Sequence, residues 1–134
     1  TGFVKVLNYW VVEDCGRVIN PQLVAEQQRG SVVHGLGDAL YEHCLYDQAG
    51  QLQNATMADY LVPMSGESPD IVIEHVSTPS SKTTLGAKGA GESGMAGVPQ
   101  SILSAVNDAI RPFGGEVSAV PVTPEDVLKA TGQL

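Results

Sequence analysis

A single carboxylate set in a run of glycines is the feature of this 134-residue chain that most suggests chemistry. Residues 85–97 read Leu-Gly-Ala-Lys-Gly-Ala-Gly-Glu-Ser-Gly-Met-Ala-Gly, placing Glu92 between Gly91 and Ser93. Glycines leave a backbone free to enter left-handed turns and let another molecule approach closely. A carboxylate held in such a loop can serve as a general base, and it works best with a pKa near the working pH. Enclosure in an apolar site would push its pKa up, and only Lys88 stands near enough in sequence to oppose that shift. A helix is expected directly afterwards: Pro99 suits a first turn, and apolar residues recur at Ile102, Ala105, Val106, Ala109 and Ile110. It should end near Arg111, because Pro112 disfavours a helical residue before it. The loop therefore lies near a helix N-terminus, where free N–H groups favour an anionic ligand.

Other chemistries fit the loop less well. Gly89 to Gly94 matches the dinucleotide fingerprint GxGxxG, but the preceding residues, Thr78 to Thr84, read as loop and not as the strand that fingerprint requires. A P-loop needs Ser or Thr after its lysine, and Lys88 is followed by Gly89. The plainest alternative is a glycine-rich surface turn with an exposed glutamate.

A second polar constellation lies on the first expected helix, which Asn20 caps, Pro21 opens and Glu42 roughly closes. Projected at the helical period, Ala25, Val32, Val33, Leu36 and Leu40 form one apolar stripe. The other side carries Gln27, Gly30, Ser31, His34 and Asp38, flanked by Gly35 and Gly37. Each glycine weakens a helix by about 1 kcal/mol relative to alanine. A solvated face gains nothing from that loss, so close approach of another backbone or a ligand is the better explanation. His34 taken alone reads as a packing histidine. His43 and His75 lie at no ligand spacing from it, so no protein metal ligands are assigned.

The remaining elements follow from local pattern. Phe3 to Asp14 reads as a strand, central because both faces are largely apolar, and Asp14 to Arg17 turns the chain. His43 to Tyr46 reads as a short strand before a turn at Asp47 to Gly50, and Thr56 to Leu61 continues it with little alternation. Ser65 to Asp70 reads as surface loop, Ile71 to Val76 as a second strand, and Val117 to Val122 as strand-like. Thr123 to Asp126 caps a short last helix. The pattern predicts one α+β domain over residues 1–134, with helices packed on a mixed or antiparallel sheet. A net charge of −8 argues against nucleic-acid and anionic-membrane partners. With no membrane-length apolar run and no signal peptide visible, a cytoplasmic location is expected, with Cys15 and Cys44 as reduced, packed thiols. The start at Thr1-Gly2, without Met, reads as though cut from something longer.

Four stretches in order give the chain a family resemblance. Asp14 to Pro21 is similar to a recurring Asp-x-Gly-x-x-x-Asn-Pro, and Glu26 to Gly37 to Gly-Gln-x-x-Gly-(small)-x-x-Gln-Gly-Leu/Ile-Gly. Leu85 to Glu92 and Val120 to Val127 complete the set. Together they resemble the C-terminal part of the molybdopterin-binding large subunit of the molybdenum hydroxylases, the xanthine dehydrogenase, aldehyde oxidase and carbon monoxide dehydrogenase family. Two positions depart from the pattern: Glu26 stands for the usual glycine and His34 for a common glutamine.

The resemblance implies a fold of the molybdenum-cofactor-binding-domain type, of which the chain would be a C-terminal fragment. It implies Glu92 as the active-site base, and Gln27, Gly30, Ser31, His34, Lys88, Gly89, Ala90 and Gly91 as cofactor-binding residues. The cofactor implied is molybdopterin, carried alone or as a dinucleotide, which holds the metal itself. Implied partners are the rest of the molybdenum-binding subunit, iron–sulfur and FAD domains or subunits, and a small-molecule substrate whose aldehyde, heteroaromatic or related carbon is oxidised with water. Alone, the chain is expected to be inactive, and its cofactor-facing surfaces could then be covered by a homodimer. The alternative from another class is a non-catalytic fragment or paralogue that keeps the fold and serves as a protein-interaction module.

Overall fold

The computed structural model describes residues 1–134. Strand β1 (Asn8–Glu13) leads to helix α1 (Pro21–Leu40), strand β2 (Asp70–His75), helix α2 (Val98–Ile110) with a 3-10 turn at Arg111–Phe113, and helix α3 (Pro124–Ala130). The helix ends follow the sequence signals. The Asn20 side chain accepts the Leu23 N–H at 3.1 Å, and Thr123 with Asp126 forms a capping box at the start of α3. Helix α2 stops at Ile110, and Pro112 sits within the 3-10 turn that follows.

The sheet corrects the expected architecture. It has two strands, and they run parallel, with Asn8 opposite Asp70 and Glu13 opposite His75. A parallel pair needs a crossover connection of a dozen or more residues, and α1 supplies it. Antiparallel pairing is confined to isolated bridges, Gly16 with Ala87 and Tyr46 with Leu52. The expected strand from Phe3 is shorter too. Its ladder begins only at Asn8, where β2 begins, and Pro69 precedes that point without an N–H to donate. Nor is β1 central, since β2 flanks it on one side alone.

Residues 117–122 form no strand. Their polar groups are met by helices instead: the Asn107 side chain bonds both the N–H and the carbonyl of Val117, each at 2.8 Å. The Val122 N–H donates to the Ala39 carbonyl at 2.7 Å. The turn after Tyr46 forms as expected, with Asp47 Oδ1 accepting from the N–H groups of Ala49 and Gln51 and Gly50 at φ +79°. Cys15 is buried, but Cys44 is exposed rather than packed.

Val32, Leu36 and Ala39 of α1 meet Val98, Ile102, Val106 and Ile110 of α2 in one core with Ile71 of β2. The buried face of α1 is therefore rotated from the expected stripe: it takes Val32 and Leu36 but also the polar Gln28 and Ser31. Gly35 sits at the crossing, where an added Cβ would lie 2.5 Å from the Val98 Cβ. The helices cover one sheet face only. On the other, Trp10 and Val12 of β1 and Val72 of β2 are exposed, and Trp10 is the register partner of Val72. An apolar groove of about 530 Å³ runs between residues 3–10 and the Ala105–Ala109 edge of α2, sharing no lining residue with the glycine loop.

Two glycines on one helix should respond oppositely to substitution. In Gly35→Ala the clash with Val98, a side chain that cannot swing away, should outweigh the roughly 1 kcal/mol propensity gain and cost about 1–2 kcal/mol net. Gly30→Ala meets no atom within 4 Å and should stabilise the chain by about 0.5–1 kcal/mol. Urea denaturation of both variants checks the pair; equal effects would contradict the crossing geometry.

Candidate cofactor-binding site

Side chains from α1 hold the glycine loop by its carbonyls. Gln27 Nε2 and Ser31 Oγ both donate to the Gly91 carbonyl at 2.9 Å. Gln28 Nε2 donates to the Ala90 carbonyl and to Ser93 Oγ, each at 3.0 Å. Gln28 is fully buried, and its Oε1 finds no donor in the chain. Gly94 packs against that oxygen, where a Cβ would come within 2.2 Å. A trans peptide carries its C=O and N–H on opposite edges. With the Ala90 and Gly91 carbonyls turned to α1, the N–H groups of Gly91 and Glu92 face away from it. None of the backbone N–H groups from Gly89 to Gly94 donates to a protein acceptor.

The stem of the loop is fastened to the end of β1. The Lys88 N–H donates to the Cys15 carbonyl at 2.7 Å and the Arg17 N–H to the Gly86 carbonyl at 3.1 Å. Gly16 and Gly86 both have positive φ, +68° and +72°, and a Cβ on Gly16 would lie 2.3 Å from the Gly86 carbonyl oxygen. Asp14 joins the pieces: Oδ1 accepts from the N–H groups of Gly16 and Thr78, and Oδ2 from Lys88 Nζ at 2.9 Å. The Lys88 ammonium first, then the Thr78 and Gly16 N–H groups, hold the Asp14 carboxyl well below the usual carboxylate range. A depressed folded-state pKa contributes stability above the ordinary carboxylate value, and that contribution is lost as pH falls through the folded value. The clasp thus persists at neutral and mildly acidic pH.

The residues singled out from sequence gather only in part. Gln27, Ser31, Ala90 and Gly91 are in direct contact through the bonds described. Lys88 is paired with Asp14. His34 and Gly30 lie on the exposed side of α1, and His34 makes no hydrogen bond within the chain. The Glu92 side chain is exposed, so the closed apolar surroundings expected for it are not supplied by these residues. One important residue, Gln28, escaped the sequence reading, and Asp14 reads there only as the start of a turn and of a recurring stretch, not as the partner of Lys88. Gln28 stands one residue from Gln27 on the side of α1 that carries Gly35, and Asp14 shows the signal of an Asx turn, an aspartate two residues before a glycine.

Whether this surface fits a cofactor can be asked of its glycines. A Cβ on Gly30, Gly89 or Gly91 would meet nothing within 4 Å, and none of the three has positive φ. Neither crowding nor backbone conformation inside the chain requires glycine there. Beside them stand outward N–H donors and the amide of Gln27. Such a surface suits a flat, acceptor-rich group that lies close to the backbone, as a pterin with its phosphate does.

Comparison with known proteins places the chain. Residues 1–69 match the family described as the molybdopterin cofactor-binding domain, and the chain belongs to that family. It is 49% identical over 98% of its length to the nicotine 6-hydroxylase large subunit of Paenarthrobacter nicotinovorans. It is 33% identical over 97% of its length to the carbon monoxide dehydrogenase large chain of Hydrogenophaga pseudoflava. The crystal structure of quinoline 2-oxidoreductase from Pseudomonas putida 86 superposes with a TM-score of 0.87 at 41% identity, covering 92% of this chain and 16% of that one. The chain spans 16% of each of those two curated relatives. No helix in it is long and apolar enough to cross a membrane.

The buried and exposed glutamines of α1 should separate in a stability measurement. Gln28→Ala removes two internal hydrogen bonds from a buried site and should cost about 1–3 kcal/mol. Gln27→Ala, on the exposed side, should cost less than about 1 kcal/mol. Thermal melts of the two variants decide; a Gln27 loss as large as that of Gln28 would contradict the assigned contacts.

Proposed function

We propose that this chain forms one wall of the molybdopterin site of a molybdenum hydroxylase, with Glu92 as the active-site base and Gln27 as a cofactor contact. The observation that carries the reading is the outward N–H groups of Gly91 and Glu92, in a loop whose N–H groups from Gly89 to Gly94 find no acceptor inside the chain. Beside them stand Gly30, Gly89 and Gly91, which nothing inside the chain requires. On this reading Gly30, Ser31, His34, Gly89, Ala90 and Gly91 frame the cofactor, and Lys88 fixes the entry of the loop.

Molybdopterin, when bound, supplies the redox chemistry of the reaction. The protein's part is proton transfer and orientation. The Glu92 carboxylate makes no hydrogen bond within the chain, which leaves its oxygens free to accept a proton from the water that provides the product oxygen. Gln27 presents an amide at the rim of α1, and the free N–H groups orient acceptor atoms of the bound group. Glu92 is exposed on this chain, so exclusion of water falls to the rest of the molybdenum-binding polypeptide. Iron–sulfur and flavin partners would carry the electrons away. Among the substrates open to this class, the names of the nicotine and quinoline enzymes support a nitrogen heteroaromatic ring.

In the assembled enzyme, Glu92→Gln should retain molybdenum and fold while turnover falls by about 10²–10⁴. Near-normal turnover at full metal loading would remove Glu92 from the base role. The chain expressed alone should carry no molybdenum and no hydroxylase activity, because a buried cofactor needs walls that this surface does not provide. Metal analysis with a substrate-dependent dye-reduction assay tests this, and stoichiometric molybdenum with activity would show that these 134 residues suffice.

A further inference from the structure

The contact between Asp14 and Lys88 joins residues far apart in the chain and ties the loop's entry to the ends of both strands. Asp14 directly follows β1, whose last residue, Glu13, is buried and bonded across the sheet to His75. Its Oδ1 also accepts from Thr78, just past β2, so both strand ends converge on one carboxylate. From there Oδ2 reaches Lys88, at the entry to the segment that carries Glu92. Beyond Lys88 the loop is held again only at Ala90, Gly91 and Ser93 by α1. Gly89, between the two anchorages, makes no hydrogen bond, and a Cβ there would meet nothing within 4 Å. The path from the sheet to Glu92 therefore has two side-chain fastenings at its entry, the Thr83 hydroxyl on the Ala87 carbonyl at 2.9 Å and the Lys88–Asp14 pair. Only the second ties the loop to the strand ends.

We propose that Asp14 and Lys88 form a latch that positions the Glu92 loop, with Asp14 as a positioning residue for the base and Lys88 acting through Asp14 rather than by touching the cofactor. The proposal rests on Glu92 being the base. The pair is charge-assisted and part-exposed, and the carboxylate is fixed by two backbone N–H groups, so its geometry does not depend on the lysine. Removing the ammonium leaves the Lys88 backbone bond to Cys15 in place. What changes is how firmly the loop entry is held, and small displacements of a catalytic group reduce turnover steeply.

The test compares Asp14→Asn, Lys88→Met, the double variant and Lys88→Arg. In Asp14→Asn the amide oxygen still accepts from the Gly16 and Thr78 N–H groups, so the turn survives in each variant. Native-state hydrogen exchange of the chain at the Arg17 and Lys88 amides, which pair across the latch, should quicken about tenfold in either single variant and no further in the double. Lys88→Arg should restore it. In the assembled enzyme the same single variants should lower kcat by about ten- to a hundredfold at unchanged KM and molybdenum content, with recovery in Lys88→Arg. Unchanged exchange, or additive losses in the double variant, would overturn the latch. Loss of molybdenum in Lys88→Met but not in Asp14→Asn would overturn it in favour of direct cofactor contact. Faster exchange with full turnover would overturn the positioning role, and a parallel Glu92→Gln enzyme that also stayed active would locate the fault in the base assignment instead.

Discussion

A peptide group that gives its carbonyl to one neighbour must turn its N–H the other way, because the trans amide fixes the two on opposite edges. Helix α1 applies that constraint to the glycine loop. Gln27, Gln28 and Ser31 draw the carbonyls of Ala90 and Gly91 inward, and the N–H edge is left facing out. Each such bond contributes only about 0.5–1.5 kcal/mol. Their value lies in orientation, and the rest of the structure makes them available. The Asn20 cap starts α1, the Gly35–Val98 crossing sets it against α2, and the parallel strands bring Asp14 and Thr78 under the loop's entry.

The glycines of this chain fall into two groups with different physical origins. Gly16, Gly35, Gly86 and Gly94 are required by the chain itself, through positive φ or through atoms that a Cβ would strike. Gly30, Gly89 and Gly91 answer to neither requirement. Gly66, in a surface turn, and Gly97, just before α2, share that freedom; Gly30, Gly89 and Gly91 are the ones that flank the α1–loop contact, where close approach from outside would give them a reason.

Legibility from sequence followed the range of the interactions involved. Local devices could be read directly: Asn20 with Pro21, the Pro112 stop, the Asp47–Gly50 turn and the Thr123–Asp126 capping box each lie within a few residues of their partners. The α2 stripe also placed Ile102, Val106 and Ile110 in the core. Sheet direction was not readable, because the pairing of β1 with β2 depends on how the intervening chain crosses over. Val117 to Val122 has a strand's composition, yet Asn107 and Ala39 take its backbone groups. In the site, the pattern of Gln27, Ser31 and the glycines was visible. The burial of Gln28 was not, since its partners lie more than sixty residues away. The same distance hid the partner of Lys88, seventy-four residues from it.

The outer face of the sheet carries a built-in optical probe. Trp10 is the chain's sole tryptophan, and it stands 68% exposed beside Val72 on the face that no helix covers. Parallel strands are ordinarily enclosed on both faces. Any polypeptide that lies down on this face must bury that indole, dry its surroundings and move its emission to shorter wavelength. Docking of a polypeptide on this sheet face can therefore be followed by intrinsic fluorescence without a label.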